Sequence, residues 1–270
     1  MIIKTTKELH ALREGGRILG QILYDVAQSV KPGMTTVSLD ELAERLIIER
    51  GGMPSFKGYH IANTSSAYPA TLCVSINEEV VHGIPSDRVF KEGDVVGLDI
   101  GMKYKGYYTD TALTVIVGAS LGKTLGVKFP KTPSVEERRV AEQLVCATKE
   151  ALEVGISEVR VGVPTGTIGN AISQFLRSRG YGVVYELVGH GVGSAVHEDP
   201  EIPNWGEVGK GYRLHEGEVI ALEPMATLGG PKVKLLKDGW TWVTRDKSIA
   251  AHFEHTVVVT KNGAEVLTRA

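Results

Sequence analysis

Apolar and polar positions alternate along the chain with two different periods. In the first half, apolar residues recur every three or four positions in two stretches, which predicts two amphipathic helices. Each stretch begins with a hydroxyl residue three places before a glutamate, the capping-box signature, and ends at proline or glycine. The start signals are Thr5 with Glu8 and Ser38 with Glu41, and the end signals are residues 31–33 and 51–52.

The second half of the chain shows the same order of signals. Ser134 and Glu137 predict the start of a third helix, which ends near Val154-Gly155. Residues 163–166 lead into a fourth helix, which ends at Arg179-Gly180. Segments rich in Val, Ile and Tyr follow each helix pair and predict strands over residues 70–77, 95–104, 107–117, 183–188, 217–225 and 253–260.

A short repeat links the two halves. Residues 92–99 read EGDVVGLD and residues 216–223 read EGEVIALE, with four of eight positions identical. A turn entering a strand would also produce such a match, but the parallel helix signals favour duplication. We expect an α+β fold of one domain, residues 1–270, in which two pseudo-twofold-related halves share one sheet. The halves span about 1–120 and 134–270 and are joined by residues 118–133.

Composition narrows the class of protein. The chain has 270 residues, 42% of them hydrophobic, and a net charge of −2, as expected of a globular protein with ample core-forming material. The near-neutral charge argues against a nucleic-acid or membrane surface, and no apolar run approaches the roughly 20 residues that span a bilayer. Cys73 and Cys146 are too few for a disulfide framework, and the charged N-terminus is unlike a signal peptide. We expect a monomer in the reducing cytoplasm.

Two aspartates occupy strand positions where acidic residues are rare. Asp99 closes one predicted strand's apolar run and Asp110 opens the next. The residues between them predict a hairpin turn. The aspartates lie directly opposite each other if Tyr104-Lys105 is the central pair of the turn, and diagonally if it is Lys105-Gly106. Either register puts both carboxylates on one face, where their charges repel unless a cation intervenes.

The repeat supplies two further carboxylates. Glu223 stands at the position equivalent to Asp99, and Glu254 interrupts another apolar strand. Pseudo-symmetry would bring this second pair beside Asp99 and Asp110 at the centre of the sheet. Their formal charge of about −4 matches two divalent cations that prefer hard oxygen ligands. Each residue alone could be a solvent contact at a strand end, and a single-metal or calcium site stays open, although no EF-hand loop is present.

Three of the eight histidines stand in motifs that contain glycine or proline. His190 lies between glycines in GHGVG, residues 189–193, where a large group can approach closely. His197 follows in VHEDP, and His82 lies in VHGIP. For the histidines on a helix, near a turn or flanking Glu254 we expect surface or packing roles. They are His10, His215, His252 and His255.

Five motifs together resemble those of type I methionine aminopeptidases, the bacterial-like form, in order and spacing. They are VHGIP at 81–85, LDIG at 98–101 with TDT at 109–111, GHGVG at 189–193, LEPM at 222–225 and FEHTVVV at 253–259. The resemblance runs from about Leu9 to Gly263, nearly the whole chain. It implies the pita-bread fold, in which two pseudo-symmetric α+β halves surround a central antiparallel sheet.

The resemblance also implies roles for individual residues. The metal ligands would be Asp99, Asp110, His190, Glu223 and Glu254. Glu223 would also transfer protons, while His82 and His197 would contact the substrate around the scissile amide. Two metal ions about 3.5–4 Å apart can hold a bridging hydroxide and polarise the carbonyl. One carboxylate must then move the proton of the water, and uncoordinated histidines can donate to the oxyanion and the leaving nitrogen.

A mostly apolar pocket for the methionine side chain is implied as well. Its positions would be Tyr59, Tyr68, Cys73 and Trp240, although aromatic residues are also ordinary core residues. Several nearby positions depart from the family pattern. Val196 stands where the family often has an aromatic residue, and residues 61–67 form a longer stretch than usual. Val81 and Leu187 also replace residue types common near the site. These departures concern the shape of the pocket and leave the metal ligands untouched.

We therefore expect a metalloaminopeptidase that removes N-terminal methionine from nascent polypeptides, with two ions of cobalt, manganese, iron or zinc. Its partners would be peptide and nascent-chain N-termini and the ribosome. One alternative is a proline-directed aminopeptidase or prolidase of the same fold, whose members carry an additional N-terminal domain that this chain has no room for. The other is a non-catalytic peptide-binding relative, which would have lost metal ligands.

Overall fold

The computed structural model describes residues 1–60, 66–119 and 135–270. Its first helix has the predicted N-terminal cap. Helix α1, Thr6–Ser29, begins after Thr5. The Thr5 side chain accepts from the backbone N–H of Glu8 at 3.2 Å, and the Glu8 carboxylate accepts from the N–H of Thr5 at 2.8 Å. The helix ends before residues 31–33, as the proline and glycine there predict.

Helix α2, Thr36–Glu49, begins earlier than the sequence predicted. The predicted start at Ser38 was wrong, because Thr35 is the cap and its hydroxyl accepts from the N–H of Ser38 at 3.3 Å. The Thr36 hydroxyl also donates to the carbonyl of Ser86 at 2.8 Å. A contact remote in sequence therefore fixes the first turn of this helix.

Helix α3, Val135–Glu158, runs past Gly155, where the sequence predicted its end. That prediction was wrong, because Gly155 faces the neighbouring helix α4, Thr165–Arg177. A Cβ at Gly155 would lie 2.7 Å from Ile172 Cδ1 of α4. The glycine thus permits close helix packing and does not end the helix. Ser134, the predicted cap of α3, lies outside the described residues.

The described residues form fifteen strands, most of them in one antiparallel sheet. They are β1 (Met53–Pro54), β2 (Leu72–Ile76), β3 (Glu79–Val81), β4 (Val95–Tyr104), β5 (Tyr107–Ile116), β6 (Gly182–Val183), β7 (Gly189–Gly191), β8 (Glu198–Ile202), β9 (Val219–Leu222), β10 (Met225–Thr227), β11 (Val233–Leu235), β12 (Trp242–Thr244), β13 (Ala250–His252), β14 (Glu254–Thr260) and β15 (Gly263–Val266). The nine-stranded sheet has the order β1-β4-β5-β14-β9-β7-β8, with β2 also on β4 and β15 on β14. Two sheets of three strands have the orders β13-β10-β6 and β11-β12-β3.

The observed turn of the β4–β5 hairpin shows which of the two predicted registers Asp99 and Asp110 adopt. Its turn is Lys105-Gly106, with φ of 48° and 92°, as in a type I′ turn. Asp110 is directly opposite Gly101, so Asp99 and Asp110 are diagonal neighbours. Their carboxylates lie on one face of the sheet, as predicted for either register.

Two predicted strands are interrupted or short. The strand predicted over residues 217–225 breaks at Glu223-Pro224 into β9 and β10, and proline lacks the N–H that a continuous ladder requires. Only β6 forms at the start of the predicted strand 183–188. Both predictions were wrong in extent. The break matters for the site, because it releases Glu223 from strand pairing.

Two apolar cores fill the space between the helices and the central sheet. One lies between α1, α2 and strands β2 and β4, and its fully buried members include Leu19, Ile22, Leu39, Leu72 and Leu98. The other lies between α3, α4 and strands β9 and β14, and includes Leu144, Ile168, Ile172, Ile220 and Val257. Each half of the sequence thus contributes a helix pair and its own core, as the repeat predicts. None of the described helices is long and apolar enough to cross a membrane.

Two helical glycines allow a test of this packing. A Cβ at Gly20 of α1 would overlap the backbone carbonyl oxygen of Thr268, whereas at Gly155 it would meet only the flexible end of Ile172. We expect Gly20→Ala to lower the free energy of unfolding by about 1–3 kcal/mol, because backbone cannot move aside. Gly155→Ala should cost less, because the Ile172 side chain can move aside, while the gain of about 1 kcal/mol in helix propensity applies at both positions. Urea unfolding measures both, and equal losses would contradict this account.

Candidate metal centre

Ala112 of β5 marks the centre of the site. It pairs with Asp99 of β4 on one side and with Glu254 of β14 on the other. Side chains of directly paired residues project from the same face, and Asp110, two residues before Ala112, shares that face. Three carboxylates therefore surround one methyl group, and this small side chain leaves space between them.

Threonine hydroxyls hold β5 against β14, where the described pairing spans two residues on each strand. Thr256 Oγ1 accepts from the N–H of Asp110 at 2.9 Å and donates to its carbonyl at 2.7 Å. Thr111 Oγ1 donates to the carbonyl of Glu254 at 2.8 Å. These bonds fix the backbone at two of the acidic residues, so their carboxylates start from defined positions.

Glu223 lies in the break between β9 and β10, where its backbone is held by a hydrogen bond and its side chain faces His190. Its backbone carbonyl accepts from the side-chain amide of Asn204 at 2.9 Å. Its Oε1 lies 3.5 Å from Nε2 of His190. The break in the strand thus turns the Glu223 side chain toward the other acidic residues.

Of the three groups of described side chains with the spacing to hold a cation, two consist only of predicted metal ligands. One carboxylate oxygen from each of Asp99, Asp110 and Glu254 lies within 4.8 Å of the others. Ligand-type atoms of His190, Glu223 and Glu254 meet the same limit. Because Glu254 belongs to both, the two groups adjoin. The structure thus brings all five predicted metal ligands together.

The electrostatics of the site fit divalent cations. Burial raises the pKa of Asp99 to about 7. Burial and then the neighbouring negative charges raise the pKa of the other acidic residues well above their usual range, in Asp110, Glu223 and Glu254. Within the described residues, a buried oxygen has no hydrogen-bond partner in each of Asp99, Asp110 and Glu254. A cation would satisfy these oxygens and make the ionised carboxylates favourable.

His190 is oriented as a neutral ligand. Its Nδ1 lies 2.9 Å from the carbonyl oxygen of Gly191, which can only accept, so Nδ1 carries the proton. The lone pair is then on Nε2, which faces Glu223. Burial lowers the pKa of His190 to about 4, so the ring stays neutral at pH 7. This arrangement is typical of a metal-binding histidine.

His197 and His82 border the same space. Nδ1 of His197 lies 2.9 Å from the hydroxyl of Tyr59, and its ring centroid lies 4.3 Å from that of His190. Burial lowers the pKa of His197 to about 3 and that of His82 to about 4. A ring nitrogen of His197 also lies within 4.8 Å of ligand-type atoms of Asp110 and His190. Both histidines therefore reach the site as neutral hydrogen-bonding groups.

An apolar pocket opens beside the acidic residues. The same cavity is lined by all four residues that were predicted for it, Tyr59, Tyr68, Cys73 and Trp240, and by Phe56. Val196 packs in the cluster that contains Phe56, Tyr68 and Trp240, so it contacts the pocket wall although it does not line the cavity itself. Val81 and Leu187 pack in a different cluster, and residues 61–65 lie outside the described residues.

A comparison with protein families gives the class of this site. The sequence model of metallopeptidase family M24 matches residues 10–261, which is most of the chain. The chain belongs to this family. A metallopeptidase requires metal ligands, and the clustered carboxylates and imidazole are suitable ones.

This M24 metallopeptidase has full-length relatives. It is 42% identical to methionine aminopeptidase 1 of Bacillus subtilis, over 100% of this chain and 99% of that one. The crystal structure of a methionine aminopeptidase from Thermotoga maritima has a TM-score of 0.88 at 39% identity and covers 100% of both chains. These findings confirm the expected pita-bread fold. A prolidase from Pyrococcus furiosus shares the fold alone, at 23% identity and a TM-score of 0.74, with 66% of that chain covered.

Sequence reasoning missed two residues of this M24 site. Phe56 lines the pocket, and its position three residues before Tyr59 was the available signal. His252, for which we expected surface or packing work, is buried, with Nε2 3.7 Å from Oε2 of Glu223. The sequence places His252 two residues before Glu254, but its approach to Glu223 depends on how β13 meets β10.

The space around Ala112 provides a test of the metal site. Ala112→Val suits a strand but fills the gap between Asp99 and Glu254. We expect affinity for divalent cations, measured by calorimetric titration, to fall about 10-fold or more. Leu113→Met on the opposite face of β5 is the matched control and should leave the affinity unchanged. Unchanged binding in Ala112→Val would place the cations elsewhere.

Proposed function

We propose that this chain is a methionine aminopeptidase, which removes the N-terminal methionine of nascent polypeptides in the cytoplasm. The observation that carries the proposal is an apolar, aromatic-walled pocket that opens directly onto the clustered carboxylates and His190. Full-length similarity to methionine aminopeptidases supports it. We also infer one catalytic domain, residues 1–270, whose two halves are supported by the two separate apolar cores.

The proposed ligands are five, and Glu254 is the one that belongs to both groups. They are Asp99, Asp110, His190, Glu223 and Glu254. Two divalent cations of cobalt, manganese, iron or zinc held there would supply Lewis acidity and lower the pKa of water. Of the three groups of ligand-type atoms, the two that contain only these five residues support a count of two.

Glu223 is the proposed proton-transfer group. Its carboxylate lines the cavity beside the other proposed ligands, where a carboxylate can accept a proton and give it up again. The proton of the attacking water moves to a carboxylate oxygen of Glu223. From there it passes to the nitrogen of the leaving peptide, which departs as a neutral amine.

His197 and His82 are the proposed donors to the reacting amide. Nδ1 of His197 lies 2.9 Å from the Tyr59 hydroxyl. We infer that this hydroxyl donates to Nδ1, which places the ring proton on Nε2, where it is free for the substrate. His82 is also buried and neutral, so it donates without adding charge to the site. Hydrogen bonds from these rings strengthen as negative charge develops on the carbonyl oxygen.

The pocket wall suits a thioether side chain. Tyr68 and Trp240 form an edge-to-face pair with centroids 5.2 Å apart, and Cys73 lies beside them. The Tyr68 hydroxyl donates within the wall, with the carbonyls of Gly83 and Leu72 at 2.9 and 3.2 Å, so it does not present a free polar group. Contacts between sulfur and aromatic rings contribute about 0.3–1.5 kcal/mol each, which favours methionine over a purely polar side chain.

The proline-directed alternative is less well supported than methionine removal. The likeness to a prolidase extends to the fold, at 23% identity. The non-catalytic alternative is disfavoured because all five proposed ligands converge. Contact with the ribosome remains part of the proposal for nascent chains.

A peptide assay separates these functions. Protein reconstituted with cobalt, manganese, iron or zinc should release free methionine from Met-Ala-Ser, because the pocket accepts the methionine side chain beside the metal ligands. Peptides that begin Xaa-Pro and the N-acetylated form of Met-Ala-Ser are the controls and should stay intact. Chromatography of the products measures the release. Cleavage only at Xaa-Pro would support the proline-directed enzyme, and no cleavage with any metal would support a binding protein.

Glu223→Gln tests the proton-transfer role. Glutamine keeps the shape of the side chain but cannot carry the proton, so we expect kcat to fall about 10²- to 10⁴-fold with a much smaller change in KM. Glu216→Gln, at an exposed position in the turn before β9, is the matched control. Metal content is measured alongside, and full activity with bound metal would rule out this role.

A further inference from the structure

His252 is anchored by its backbone to the strand that carries Asp110. It ends β13 and lies opposite Met225 of β10, just after the break that contains Glu223. Its N–H donates to Thr114 Oγ1 at 2.9 Å, and Thr114 Oγ1 donates to its carbonyl at 2.7 Å. The ring of His252 is therefore held at a defined place relative to Glu223.

The side chain of His252 approaches Glu223 from behind the cavity. Its Nε2 lies 3.7 Å from Glu223 Oε2, is buried, and has no hydrogen-bond partner in the described part of the chain. Glu223 lines the cavity, whereas His252 is not among the described residues of its wall. A buried polar atom without a partner is costly, and Glu223 Oε2 is an acceptor within a small side-chain movement.

We propose that His252 is a positioning residue for Glu223: the Nε2–H of His252 donates to Oε2 of Glu223 and fixes the plane of that carboxylate. The proposal rests on the proposed proton-transfer role of Glu223. Hydrogen bonds at active sites are often long before substrate binds and shorten afterwards, which accounts for the present separation.

The tautomer follows from the same geometry. His190 Nε2 belongs to a candidate cation group with Glu223 and Glu254, whereas His252 belongs to no such group in the described part of the chain. With no cation between them, a bare Nε2 of His252 would face a carboxylate acceptor in a buried site, so the proton belongs on Nε2. The His252 side chain is buried, and a buried imidazole favours its neutral form. A neutral donor orients Glu223 without cancelling the negative charge that the carboxylate needs for a cation and a proton.

The remaining contacts of Glu223 leave its carboxylate free to turn. Asn204 holds only the backbone carbonyl, and His190 faces Oε1 at 3.5 Å. When His252 donates to Oε2, the two carboxylate oxygens of Glu223 have different neighbours and different roles. Oε2 is held, and Oε1 faces the ligand side of the cavity.

Three variants test this role by kinetics. His252→Leu removes the donor and should lower kcat about 10- to 100-fold, with KM and cation affinity within about threefold of the parent. His252→Gln restores an N–H donor and should recover most of kcat. His255→Gln is the control: this half-buried histidine three residues later bonds Thr268 at 2.9 Å, and its replacement should retain activity. Full kcat in His252→Leu, no rescue by glutamine, or a loss that follows cation affinity would overturn the proposal.

A spectroscopic measurement decides the contact independently of turnover. In zinc-loaded protein labelled with ¹⁵N-histidine, the signals that vanish in His252→Gln belong to His252. They should show a proton on Nε2, with a shift that changes in Glu223→Gln. A proton on Nδ1, or no response to Glu223→Gln, would overturn the positioning role. If the parent protein released no methionine, the proposed function would be wrong. The ¹⁵N signals would still show whether His252 donates to Glu223.

Discussion

Repulsion among Asp99, Asp110 and Glu254 is the interaction on which the rest of the structure depends. Their nearest oxygens lie within 4.8 Å of one another. At an effective dielectric constant of 20, each ionised pair at that distance costs about 3.5 kcal/mol, so three pairs cost about 10 kcal/mol. Whole domains are stable by only about 5–15 kcal/mol. The carboxylates must therefore share protons or cations, and the surrounding elements hold them close in spite of the cost.

Local features of the strands hold these acidic side chains close together despite their repulsion. A two-residue turn sets the register of β4 and β5, and Ala112 keeps the space between the acidic side chains open. Threonine hydroxyls replace ladder hydrogen bonds between β5 and β14, and proline releases Glu223 from its strand. Neutral imidazoles surround the acids, because burial removes the charge of His190 and His197. The site therefore holds most of its charge in the carboxylates.

The sequence predicted the parts of this arrangement that local rules determine. The capping box at Thr5, the hairpin and the shared face of Asp99 and Asp110 follow from neighbours in sequence. The repeat and the family motifs located Glu223, Glu254 and His190. The predictions that were wrong concerned features that depend on contacts between distant segments. Thr35 caps α2 where Ser86 bonds its first turn, Gly155 meets Ile172 inside a helix, and His252 approaches Glu223 only when β13 pairs with β10.

The short contact between β5 and β14 has a consequence for how the enzyme matures. Asp99 and Asp110 come from strands near residue 100, while Glu223 and Glu254 come from strands more than a hundred residues later. Neither set forms the site alone, so a chain still leaving the ribosome holds no complete peptidase. Cations bound across this contact favour the closed pair of halves over separated ones by mass action. The site is therefore complete only when the strands of the second half have docked against β4 and β5.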